Sequence, residues 1–247
     1  MKPNEHIILA LDVPTIEQAV SLVELLKDDV GAFKVGLELI NNAGSAKDIL
    51  QILTNSGAPR IFLDAKLHDI PNTVAGAMRG IVRTGAWCVT VHTMGGDAML
   101  QAAVETARCE AEALGLPRPL VLGVTVLTSL SEEELKHEIM VNSHLSTYAT
   151  HLALMARNAG CDGVISSPAE AGAIREVIPS RDFLIVTPGI RPSDTDRADQ
   201  ARINTPASAI KQGADYLVIG RPISGAPDAV LAARRIADEI ASAAVTI

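Results

Sequence analysis

Eight short apolar runs, rich in β-branched residues, recur along the chain at about 7–12, 32–36, 60–65, 86–91, 119–126, 162–166, 183–187 and 215–219. They are near-continuous rather than alternating, as expected of parallel strands covered on both faces. Between them, helical spacing of apolar positions covers 15–28, 44–56, 72–84, 97–114, 146–159, 168–177, 206–212 and 227–243. Thr15 after Pro14, Thr205 before Pro206 and Ala226 before Pro227 read as helix starts. Gly57, Gly85, Gly160 and Gly213 read as helix stops. Eight strand–helix units in series predict a (β/α)8 barrel of the TIM type, α/β in class and one domain over residues 1–247; a doubly wound sheet is the alternative.

Two connections exceed simple linkers. Residues 127–145 should add a helical turn at the rim. Residues 188–204, rich in Pro, Asp and Arg, read as a lid loop at the carboxyl end of the seventh strand.

Composition narrows the chemistry. A formal net charge of −8 and the lack of any Lys/Arg run argue against a nucleic-acid surface. With only three Phe, two Tyr and one Trp, a pocket would hold a ring by hydrogen bonds and aliphatic contacts rather than by stacking. Cys88, Cys109 and Cys161 are odd in number and widely spaced, which predicts reduced, mostly buried thiols rather than disulfides or a zinc site. The amino terminus is polar, and no signal or membrane-spanning run is visible, so a cytoplasmic location without a membrane partner is expected.

Polar residues then mark the strand ends, where barrel sites assemble. The third run passes directly into Asp64, Lys66, His68 and Asp69. Alternate strand residues share a side, so Asp64 and Lys66 should point together. Taken alone this could be an idle ion pair. Lys34, however, interrupts the second apolar run, and a lysine there must recover its lost hydration from nearby acids. Asp12 and Asp64 are the expected partners. Gly220-Arg221 after the eighth run reads as a phosphate grip, with Arg191 in reach of the same corner. His6, His137, His144 and His151 look like surface or helix residues, and Gly95-Gly96 like a tight turn. No Gly-x-Gly-x-x-Gly, Walker loop, His-Glu-x-x-His or nucleophile elbow is present.

The ordered set resembles the orotidine 5′-monophosphate decarboxylase family. Asp-Ala-Lys-Leu-His-Asp-Ile-Pro-Asn-Thr at 64–73 matches that family's signature throughout. Leu-Asp at 11–12, Lys-Val-Gly at 34–36, Val-Thr-Val-Leu-Thr-Ser at 124–129, Thr-Pro-Gly-Ile-Arg at 187–191 and Ile-Gly-Arg-Pro at 219–222 follow in the family's order. The resemblance implies a cofactor-free and metal-free lyase that converts orotidine 5′-monophosphate to uridine 5′-monophosphate and carbon dioxide, the last step of uridylate synthesis. Lys66 would protonate C6 of the pyrimidine, Asp64 would face the departing carboxylate, and Lys34 and Asp69 would complete an alternating array. Asp12, Lys34 and Thr73 would hold ribose hydroxyls, Ile70 would contact substrate, and Thr128 would lie near the ring. Arg191, Gln200, Gly220 and Arg221 would bind the phosphate. The equivalents of Asp69 and Thr73 reach the site from a neighbouring subunit, which implies a homodimer with shared sites.

Two other readings stay open on the sequence. Magnesium-dependent sugar-phosphate decarboxylases and aldol-type synthases share the Asp-x-Lys-x-x-Asp pattern, but they carry a glutamate metal ligand where this chain has Lys34. A catalytically silent nucleotide-binding barrel would need no Lys66 beside Asp64.

Overall fold

A computed structural model describes residues 1–192 and 204–244. Eight parallel strands close on themselves in sequence order: β1 Ile7–Ala10, β2 Ala32–Val35, β3 Ile61–Leu67, β4 Cys88–His92, β5 Leu120–Val124, β6 Gly163–Ile165, β7 Leu184–Pro188 and β8 Tyr216–Ile219, with β8 pairing back to β1. The closed order excludes the doubly wound alternative.

Every predicted helical segment contains a helix. These are α1 Ile16–Leu26, α3 Ala46–Asn55, α4 Pro71–Val82, α5 Asp97–Leu114, α7 Leu145–Asn158, α8 Pro168–Val177, α9 Pro206–Lys211 and α11 Ala229–Ala244. Three short helices add to them: α2 Leu37–Ala43, α6 Glu132–His137 and α10 Arg221–Ser224. Of these only α6, in the long connection after β5, was expected. It starts with a capping box, in which Ser131 accepts from the Glu134 N–H and Glu134 returns to the Ser131 N–H. Thr15 and Thr205 cap α1 and α9 as predicted, each hydroxyl accepting an N–H three residues on. The start of α11 needs correction: Asp228, not Ala226, supplies the cap by accepting the Leu231 N–H at 2.9 Å. A carboxylate can satisfy an orphan helix N–H where an alanine cannot. The four predicted stop glycines all have positive φ.

Strand alternation divides the core. Ile7, Leu9, Phe33, Val35, Leu63 and Val91 point outward and pack with helix residues such as Val23, Leu53, Val74 and Met78. Ile8, Ala10, Ala32, Phe62, Cys88, Leu122, Val186 and Val218 fill the barrel interior. Of the cysteines, Cys88 and Cys161 are buried and Cys109 is exposed on α5. No helix among the described residues is long and apolar enough to cross a membrane.

Candidate active site

The inward rows of the strands run from apolar to polar as they approach the carboxyl ends. On β1, Ile8 and Ala10 lead to Asp12; on β2, Ala32 leads to Lys34; on β3, Phe62 leads to Asp64; on β4, Cys88 leads to Thr90. Closure of the barrel brings these last inward positions together. Lys34 Nζ lies 3.1 Å from Asp12 Oδ1 and 3.6 Å from Asp64 Oδ2, and Lys66 Nζ lies 2.6 Å from Asp64 Oδ2. The result is a chain of alternating sign, Asp12–Lys34–Asp64–Lys66. Its centre is withdrawn from water: the side chains of Asp64 and Lys34 are 10% and 12% exposed, against 32% for Lys66 and 56% for Asp12. Two ammonium groups on one carboxylate offset the desolvation that burial imposes on all three.

Lys66 owes its position to an irregularity in β3. Leu63 pairs with Val89 and Leu67 with Val91, so Asp64, Ala65 and Lys66 together stand opposite Thr90 alone. A bulge of this kind re-aims side chains. Lys66 takes φ 48°, a left-handed conformation uncommon outside glycine. Its N–H donates to Thr90 Oγ1 at 2.9 Å, and the Thr90 hydroxyl donates to Asp64 Oδ1 at 2.9 Å. Sequence reasoning missed Thr90, although its inward parity with Cys88 at the end of β4 was a usable signal. Gly36 leaves room for the network, since a Cβ there would sit 3.0 Å from Lys34 Nζ.

These groups open into a cavity of about 940 Å³ at the carboxyl ends of the strands. Phe62, Val124, Ile165 and Val218 line its apolar side, and Thr128 and Glu38 stand on its walls. Arg191 after β7 and Gly220-Arg221 after β8 line the same space. Gln200 lies outside the described residues, as does most of the expected lid, residues 193–203.

Asp69, Ile70 and Thr73 are exposed and do not line the cavity of their own chain. The Asp69 carboxylate instead accepts the Ile70 N–H at 2.6 Å, at the start of α4. Of the four charged residues expected to form an alternating array, three therefore meet within one chain, joined by Asp12. His92 is half-buried and stacks on His68 at 5.4 Å between centroids. Burial, then the neighbouring His68 and Lys66, holds its imidazole below the ordinary value. Neither histidine lines the cavity.

A closed parallel barrel with buried charge at the carboxyl ends of its strands defines a (β/α)8 enzyme. The model of the orotidine 5′-phosphate decarboxylase / HUMPS family matches residues 5–236, and the chain belongs to that family. A protein of Moorella thermoacetica named orotidine 5′-phosphate decarboxylase is 50% identical over 240 residues, 97% of this chain and 94% of that one. One of the same name from Syntrophomonas wolfei is 48% identical over 241 residues, 97% and 99% of the two chains. The crystal structure of orotidine 5′-phosphate decarboxylase from Lactobacillus acidophilus superposes with a TM-score of 0.82 at 38% identity, covering 95% of this chain and 98% of that one. The corresponding Pyrococcus horikoshii structure gives 0.75 at 28% identity, covering 95% and 99%. With relatives so named along nearly its whole length, the chain is a decarboxylase.

Proposed function

We propose that this protein converts orotidine 5′-monophosphate to uridine 5′-monophosphate and carbon dioxide, with no metal or organic cofactor, as the last step of uridylate synthesis. The observation that carries the reading is the Lys66 ammonium held 2.6 Å from Asp64 at the cavity wall. Loss of carbon dioxide leaves an electron pair at C6 of the pyrimidine, where no cofactor delocalises it. A fixed ammonium beside that carbon stabilises the developing charge and then delivers its proton to C6. Solvent reprotonates the neutral lysine. Asp64 orients the Lys66 ammonium and faces the carboxylate that departs.

The remaining roles follow the cavity. Asp12 and Lys34 would bind ribose hydroxyls, Thr128 would face the ring, and Arg191, Gln200, Gly220 and Arg221 would grip the phosphate. Binding energy gained at the phosphate, remote from C6, can organise the charged chain for the transition state. The Lys34 ammonium between Asp12 and Asp64 also supports the metal-free reading, because it supplies positive charge where a divalent ion would otherwise be needed.

We assign Asp69, Ile70 and Thr73 to the site of a second copy, in a homodimer that completes each cavity across the interface. Their exposure outside their own chain's cavity supports this. Mixing inactive Asp69→Ala and Lys66→Ala subunits should then restore part of the activity, measured after exchange of subunits is verified. No recovery would remove the shared site.

The direct test is the fall in orotidylate absorbance with purified protein in EDTA. Full turnover is expected. Activity lost in EDTA and restored by magnesium would favour a metal-dependent sugar-phosphate enzyme. Tight uridylate binding without turnover would make the chain a binding module.

A further inference from the structure

Among the residues behind the charged chain, Thr90 has the most exacting position. It is fully buried and does not line the cavity, so it has no path to the substrate. Its hydroxyl makes two bonds of opposite sense, donating to Asp64 Oδ1 and accepting from the Lys66 N–H, both at 2.9 Å. The two partners are the carboxylate and the main chain of the lysine that face each other across the 2.6 Å ion pair. Thr90 is also the single residue of β4 set against three residues of β3. Its oxygen thus accepts the N–H that the bulge carries out of the regular β3–β4 register.

Each bond answers a physical need. A non-glycine residue at φ 48° is held there against its steric preference, so the surrounding structure must over-determine it. The Asp64 carboxylate has Oδ2 occupied by two ammonium groups, and without a donor on Oδ1 it could rotate about its Cβ–Cγ bond. One hydroxyl removes both freedoms together.

We propose that Thr90 is a positioning residue for the decarboxylation: it locks the Asp64 carboxylate plane and the left-handed Lys66 backbone into the one geometry that aims the ammonium into the cavity. The inference rests on the proposed function above. Thr90→Val keeps the shape and removes both bonds, leaving a buried carboxylate oxygen and a half-buried N–H without these partners. Thr90→Ser keeps the hydroxyl.

The experiment compares kcat, KM and uridylate affinity for the two variants and the wild-type protein over a range of pH. Thr90→Val should lower kcat by about 10- to 100-fold, with KM and uridylate affinity changed less than about threefold. Its kcat–pH profile should shift, because the lysine–carboxylate pair is no longer held. Thr90→Ser should stay within about threefold of wild type throughout. A Val variant with wild-type kcat and pH profile would overturn the proposal, as would a Ser variant as impaired as Val, or kcat and uridylate affinity falling together. Should the Val protein not fold, amide hydrogen exchange on the wild-type protein decides: a slow Lys66 N–H is expected, and one exchanging as fast as the exposed 68–70 loop would overturn the bond. Wild-type protein that turns over no orotidylate would instead sink the functional reading, separately from any Thr90 result.

Discussion

At the amino ends of the strands, charged groups are closed off by their partners. Arg60 stacks over Trp87 at 4.3 Å, donates to the Gly31 carbonyl and reaches the Tyr216 hydroxyl, plugging the base of the barrel. Asp162, just before β6, accepts from both terminal Arg118 nitrogens and the Val121 N–H of β5. Asp215, just before β8, repeats the device with Arg175, Arg181 and the Ile185 N–H of β7. At the carboxyl ends, Asp12, Lys34, Asp64 and Lys66 pair mainly with one another and keep one side open to the cavity. The same strands therefore carry two kinds of charge. One kind ties strand to strand through main-chain bonds and serves stability. The other stands beside a space that a ligand can enter, and is the set we propose for the reaction. Burial of a charge alone does not separate the two; what separates them is whether the partners are backbone or other ions facing a cavity.

The two kinds of charge differ most at Lys66. Lys66→Ala should lower kcat by at least about 10²- to 10⁴-fold while the melting temperature stays close to wild type, read by orotidylate assay and calorimetry. Near-normal turnover would remove it as the acid. Asp215→Ala should do the reverse. Removing it strands the Ile185 N–H and a buried guanidinium, although Arg175 keeps carbonyl acceptors at Gly213, Ser180 and Phe183. A loss near the low end for a broken buried pair, about 3 kcal/mol, should lower the melting temperature by roughly 6–12 °C. The kcat at 25 °C should stay within about twofold.

Arg221→Ala should act mainly on affinity. Losing charge-assisted bonds to a phosphate should raise KM by about 10- to 100-fold with a smaller effect on kcat. An unchanged KM would take Arg221 out of the phosphate site. The smallest effect belongs to His92. Its folded-state imidazole is held below the ordinary value, so as pH falls below about 6.5 the unfolded chain takes up the proton first and stability declines. His92→Gln should flatten that part of the stability–pH curve, measured as urea midpoints at pH 7.5 and 5.5. A wild-type slope retained in the variant would place the titrating group elsewhere.

Much of this was legible in the chain because it is local. The third apolar run ends at Ala65, yet β3 continues to Leu67 through a bulge that only the partner strand reveals. The short helix α2 leaves no mark in the pattern because its seven residues give too little period to register. Arg191 and Arg221 were expected at one corner from their places after the seventh and eighth strands, and they do line one cavity. Thr90 does not stand out in the sequence because threonine in a buried strand is ordinary; its significance lies in what stands across from it.

The eight alternating units, the inward parity of Asp12, Lys34 and Asp64, and the family can all be read along the chain. Each depends on periods of two and about three and a half residues, or on ordered motifs, that one strand or helix expresses alone. Folding in three dimensions is what sets Asp64 between two ammonium groups, gives Lys66 a left-handed backbone and bonds Thr90 to both. Those facts arise from register between neighbouring strands and from closure of the barrel, which no single segment encodes.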